Sequence, residues 1–185
     1  MSFDLDVMLR RLKPLRRTTP LSRRSDQELS FVENAPPAGG EVMLDTCVYI
    51  DVLQGRSPDG VADLLRKRVC NHSAICLGEL THLLGRLHPD HPGTAKVCAE
   101  VSRVIADIPK HRLAAPSLRA LAEGGVLAGL LTRLAGEQAQ PVYNDAVLFL
   151  HALEQGQILV TRNIRDFDFL QQLVPAGRVL FYRQV

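Results

Sequence analysis

From residue 41 onward, short apolar runs alternate with helical periods, and that alternation confines the chain to an α/β fold built on a parallel sheet. Val42-Met43-Leu44 reads as the first strand, followed by a helix stopped at Gly55. Ser57-Pro58-Asp59 carries capping signals for a helix reaching about residue 68. A second strand is expected at 74–77 and a helix over 78–87, after which His88-Pro89-Asp90-His91-Pro92-Gly93 turns the chain. A long amphipathic helix then places Val97, Val101, Val104, Ile105 and Ile108 on one face. Residues 112–115 make at best a short edge strand, and a leucine-rich helix spans 117–134, kinked or split at Gly124-Gly125. Residues 92–134 together are expected to form a projecting helical hairpin. Residues 144–154 are apolar on every side and predict a buried central helix, while 158–160 and 179–182 supply late strands. The expected architecture is a three-layer sandwich, a short central parallel sheet of four or five strands with helices on both faces.

The ends of these elements carry acids. Asp45 closes the first strand, Glu79 follows the apolar run 74–77, Asp145 opens the buried helix, and Asp166 follows Ile158-Leu159-Val160-Thr161. Each has an ordinary reading by itself. Asp45 and Asp145 suit helix caps, Glu79 suits the positive end of a helix, and Asp166 suits a turn. Their coincidence carries the weight, because ligands of parallel sheets bind at the C-terminal edge of the strands. Lys110 is the last lysine in the chain, so no later lysine balances these carboxylates. An all-oxygen acidic donor set suits Mg²⁺ or Mn²⁺, and such ions act mostly on phosphate esters.

Charge divides the chain in two. Residues 1–40 hold seven Lys/Arg against five acids, whereas 41–185 hold fifteen of each. Between residues 7 and 24 lie Arg10, Arg11, Lys13, Arg16, Arg17, Arg23 and Arg24 with no acid. Residues 1–40 therefore read as a basic, flexible or loosely docked extension, closed by the linker Pro36-Pro37-Ala38-Gly39-Gly40, and 41–185 as the α/β domain. The arm has three uses open to it: contact with RNA or promoter DNA, contact with a protein partner, or a solvated tail. Arg86, Arg162 and Arg165 stand near the acids and are candidates for substrate phosphates.

Several classes drop out. No apolar run approaches the ~18 residues needed to span a bilayer, and no apolar block follows the basic N-terminus to make a secretory signal. Cys47, Cys70, Cys76 and Cys98 lack C-x-x-C spacing and read as reduced thiols of a cytoplasmic protein. The histidines match no structural zinc spacing. A P-loop, a Gly-x-Ser-x-Gly elbow and a dinucleotide fingerprint are missing. The Thr46-Cys47 that follows Asp45 departs from the Asp-x-Asp of a haloacid dehalogenase, and a receiver-type phosphoacceptor would need a late lysine.

Met43-Leu44-Asp45-Thr46, Glu79 early in its helix, and the block from Asn144-Asp145-Ala146 to Thr161-Arg162-Asn163-Ile164-Arg165-Asp166-Phe167 resemble a PIN-domain ribonuclease over about residues 42–183. The likeness points to the VapC-like toxins of type II toxin–antitoxin systems. It implies that Asp45, Glu79, Asp145 and Asp166 hold metal, that Thr161 orients the acids, and that Asn163 is their polar neighbour. It also implies a single-stranded or structured RNA substrate, a small antitoxin partner, a homodimer, and products with a 5′-phosphate and a 3′-hydroxyl. The N-terminal arm departs from the compact pattern of that family.

Physical chemistry gives the expected mechanism. Four crowded carboxylates repel one another, so without metal at least one should have a raised pKa. One or two Mg²⁺ or Mn²⁺ ions relieve that repulsion, and water acidified by them attacks phosphorus in line. The competing expectation is a catalytically silent PIN-like module that binds RNA or protein.

Overall fold

The structure, a computed structural model, describes residues 4–36, 38–135 and 142–185. Pro37 of the linker and residues 1–3 of the arm lie outside the described residues. Among those described, β1 (Val42–Leu44), β2 (Cys70–Ser73), β3 (Leu113–Ala114), β4 (Ile158–Thr161) and β5 (Arg178–Phe181) form one parallel sheet ordered β3-β2-β1-β4-β5. Parallel neighbours need crossovers, and crossovers of this kind are right-handed as a rule. Stepping from β1 out to β3, the chain lays α2 (Thr46–Leu53), α3 (Asp59–Lys67), α4 (Ala74–Arg86) and α5 (Thr94–Asp107) on one face. Returning to β4 and β5, it lays α6 (Leu118–Leu134), α7 (Tyr143–Glu154) and α8 (Ile164–Leu173) on the other. The result is a PIN-like α/β sandwich.

The connections leave β1 and β4 in opposite directions, so the C-terminal ends of these adjacent strands form the topological switch point. Leu44 is in register with Val160, and the Asp45 N–H bonds the Val160 carbonyl at 3.1 Å. Asp45 and Thr161 are thereby brought side by side.

Three expectations about elements change, the last of them in α6. The second strand is Cys70–Ser73 rather than 74–77, and residues 74–77 begin α4. The Ser73 hydroxyl accepts the Ile75 N–H at 3.2 Å, which starts the helix before the apolar run can pair. The strand hides its nature because its side chains are polar with internal partners. His72 Nδ1 meets the Tyr49 hydroxyl at 2.6 Å and Ser73 Oγ meets His151 Nδ1 at 3.0 Å. The projecting hairpin over 92–134 is divided by β3, which pairs with β2 through His72–Leu113 and Ser73–Ala114. That pairing sends α5 and α6 to opposite faces.

Helix α6 is continuous and its Leu127 and Leu131 are fully buried. Gly124 permits this packing without splitting the helix: a Cβ there would lie 2.5 Å from Val147 Cγ2 on α7. Around α7, residues Ala146 to Ala152 are all buried, as a central helix requires.

The arm packs against the body. Helix α1 (Leu5–Leu12) buries Met8 and Leu12, and Leu29 and Val32 join the same core. Arg11 pairs with Glu123 of α6, and Arg24 Nε lies 2.6 Å from Asp168 of α8. Arg17 donates to the Leu173 carbonyl at 2.8 Å. Ser30 accepts the Phe181 N–H at 2.8 Å, and Phe31 bridges Phe181 in parallel. This extra pairing shields the edge of β5, which would otherwise present unpaired backbone groups. Among the described residues, no helix is long and apolar enough to cross a membrane.

Candidate active site

Asp45 occupies the N-cap position of α2 but its side chain caps nothing. Its Oδ2 instead accepts the Thr161 hydroxyl at 2.6 Å and the Cys47 thiol at 3.0 Å. Thr161 is wholly buried, and its hydroxyl also accepts the Asn163 N–H at 2.9 Å. Burial pushes the Asp45 carboxyl upward against the pull of these donors, and the charge of Glu79 adds to the rise. The Cys47 thiol is pushed far up by burial and by Asp45, so it sits there as a neutral donor.

Glu79 lies in the second turn of α4, a consequence of the early start of that helix. The Thr46 hydroxyl donates to its Oε2, and Asn144 Nδ2 donates to its Oε1 at 2.8 Å. Thr46 is the neighbour of Asp45 and Asn144 is the neighbour of Asp145, so Glu79 spans the two.

Asp145 stands in the first turn of α7, which begins at Tyr143, so neither it nor Asn144 is the N-cap. Asn163 is the N-cap of α8, its Oδ1 accepting the Asp166 N–H at 3.3 Å. The same side chain donates to Asp145 Oδ2 at 3.1 Å and to Asp166 Oδ2 at 2.9 Å. Asn163 therefore combines a capping role with a bridge between two of the acids. The Asp145 carboxyl is pushed up to about 8, first by desolvation and then by the charges of Asp45, Asp166 and Glu79. Asp45, Asp145 and Asp166 are thus linked through Thr161 and Asn163, and Glu79 is held by Thr46 and Asn144, the chain neighbours of Asp45 and Asp145.

Among the described residues, no three His, Cys, Asp or Glu side chains converge as a ready group for one ion. Asp45, Asp145, Arg162 and Asn163 line one open cleft, and Glu79 and Asn144 line another beside it. The donor set still suits a hard divalent cation, because it is all oxygen and its mutual repulsion is relieved by positive charge.

Sequence reasoning missed Thr46, Cys47 and Asn144, which hold the acids, and Asp51, which is fully buried behind the cleft. Thr46 and Asn144 sit beside named acids, the one signal that pointed to them. Of the arginines considered for phosphates, Arg86 is exposed at the end of α4, and Arg162 is ion-paired with Asp51 at 2.9 Å.

No protein-family model matches the sequence, and no curated protein matches it. The fold and the acidic switch point define a chain of PIN-like architecture. Solved structures share it. FitAcB from Neisseria gonorrhoeae aligns at 18% identity and TM-score 0.56, over 75% of this chain and 96% of that one. DNA-bound VapBC from Salmonella typhimurium aligns at 20% identity and TM-score 0.53, over 76% and 97%. A member of the VapBC family of toxin–antitoxin systems from Mycobacterium tuberculosis aligns at 18% and 0.53, over 78% and 100%. At such identities the likeness is one of fold.

Proposed function

We propose that this chain is the toxin of a toxin–antitoxin pair and cleaves single-stranded RNA with the help of Mg²⁺ or Mn²⁺. The observation that carries the proposal is the linkage of Asp45, Asp145 and Asp166 through Thr161 and Asn163, with Glu79 tied to the chain neighbours of Asp45 and Asp145 by Thr46 and Asn144. The likeness of fold to toxin–antitoxin complexes supports it.

In this reading the four acids hold one or two ions. Bound there, an ion supplies positive charge to the phosphodiester and acidifies nearby water. Thr161 and Cys47 fix the orientation of Asp45, and Asn163 couples Asp145 to Asp166. Asp145 favours its protonated form near neutral pH and would give up that proton to a bound cation. A small antitoxin, a homodimeric assembly and a cytoplasmic setting complete the proposal.

The test is cleavage of single-stranded RNA by the purified chain. Cutting is expected with Mg²⁺ or Mn²⁺, to stop with EDTA, and to vanish in a folded Asp45→Asn variant. Cutting indifferent to chelator contradicts the proposal. That no three acids form a ready group among the described residues favours a second reading, a catalytically silent binding module. Failure to cut any RNA would select it.

A further inference from the structure

Arg162 stands between β4 and the N-cap of α8, at the mouth of the cleft it shares with Asp45 and Asp145. Its Nε lies 2.9 Å from Asp51 Oδ2. Asp51 belongs to α2 and is 0% exposed, whereas the Arg162 side chain is 41% exposed. The same carboxylate accepts the Tyr182 hydroxyl at 2.8 Å and Gln184 Nε2 at 2.6 Å. A buried carboxylate is tolerated when it is paired and hydrogen-bonded in this way.

The pairing is one-sided. Asp51 engages Nε, and no hydrogen bond of the two terminal guanidinium nitrogens is formed among the described residues. An unrestrained arginine beside Asp45 and Asp145 would fold onto those carboxylates and close the cleft. Anchored from behind, it keeps a planar fork of donors for another anion. A fork of this shape matches the oxygens of a phosphodiester.

Resting on the ribonuclease reading, we propose that Arg162 binds a backbone phosphate of the RNA, and that Asp51, held by Tyr182 and Gln184, is its positioning residue. This assigns the arginine to substrate, and Asp51 of α2 to the arginine rather than to a cation.

Binding of a fluorescein-labelled, random-sequence, single-stranded RNA 20-mer to the full chain tests it. The parent carries Asp45→Asn to suppress cleavage, the buffer contains Mg²⁺, and anisotropy is read over a series of NaCl concentrations. Arg162→Ala is expected to weaken binding on the order of tenfold and to reduce the slope of log affinity against log salt by about 0.7, one phosphate contact on a single strand. Arg162→Lys should restore the slope and only part of the affinity, because it keeps the charge and loses the fork. Asp51→Asn should weaken binding, yet Asp51→Asn with Arg162→Ala should bind no worse than Arg162→Ala alone. Circular dichroism checks that each variant is folded, and Arg162→Ala, at an exposed position, decides the main point even if Asp51→Asn unfolds. Unchanged affinity and slope in Arg162→Ala overturn the inference. Additive losses in the double variant overturn the positioning role of Asp51. A parent that binds no RNA also overturns the inference, and cleavage by the unsubstituted chain then decides the fate of the ribonuclease reading separately.

Discussion

The Thr161 hydroxyl donates a 2.6 Å hydrogen bond to Asp45 Oδ2, linking the ends of two adjacent parallel strands at the switch point. Thr161 is wholly buried, so no water replaces its hydroxyl's partner. Thr161→Val keeps the shape and removes the donor, and should destabilise the protein by about 1–3 kcal/mol. For a chain of this size that is roughly 2–4 °C of melting temperature per kcal/mol. Thr161→Ser, which keeps the hydroxyl, should melt closer to the wild type in the same thermal scan.

Asp145 gives a pH dependence with a definite sign. Its folded value of about 8 lies above the ordinary 3.8, so the folded metal-free protein retains a proton that the unfolded chain releases. The stability linked to that proton is complete below pH 3.8 and is lost as pH rises through about 8. In EDTA, Asp145→Asn should therefore melt at the same temperature as wild type near pH 4 and at a higher one at pH 8. Equal destabilisation at both pH values would mean that the carboxylate serves the start of α7.

His151 works in the opposite direction. It is wholly buried, Nδ1 meets Ser73 Oγ, and Nε2 has no hydrogen-bond partner among the described residues. Burial lowers its pKa below 6.5, so the folded state favours the neutral ring. Its contribution is fully present above the unfolded value of about 6.5 and is lost as pH falls through the lower folded value. His72, buried beside Tyr49, shifts the same way, chiefly through desolvation. Between pH 7 and 5 the loss of denaturant stability should be smaller in His151→Gln than in wild type. An unchanged slope would remove this histidine from the account.

The glycines of α6 make a paired test. Gly124→Ala would bring a Cβ to 2.5 Å from Val147 Cγ2, and overpacking of that kind costs about 1–3 kcal/mol. At the adjacent Gly125 the nearest atom is 3.9 Å away, on Tyr143, so Gly125→Ala should stabilise by about 0.5–1 kcal/mol. Thermal melts of the two variants should move in opposite directions.

What was legible in the sequence follows from how each element announces itself. The helix α7 and the strands β1 and β4 read clearly because Ala146 to Ala152, Val42 to Leu44 and Leu159 to Thr161 are all buried. The acids read clearly because they punctuate apolar runs. Strand β2 did not, because Cys70-Asn71-His72-Ser73 satisfies its polar groups through Tyr49, His151 and Glu41, partners distant in sequence. The contacts of the arm were equally silent: Met8, Leu12, Leu29 and Val32 enter the core in ones and twos with no sustained period. Asp51 looked like one more residue on a helix, and only the approach of Tyr182, Gln184 and Arg162 marks it.

The central claim is that these carboxylates form a common seat for a divalent cation, and titration calorimetry of Mn²⁺ into the metal-free chain at pH 7 tests it most directly. The account predicts saturable binding with heats that depend on the buffer, because the Asp145 proton is released as the ion binds. Asp45→Asn should bind far more weakly. Absence of binding by the wild type, or identical binding by a folded Asp45→Asn variant, would contradict the claim.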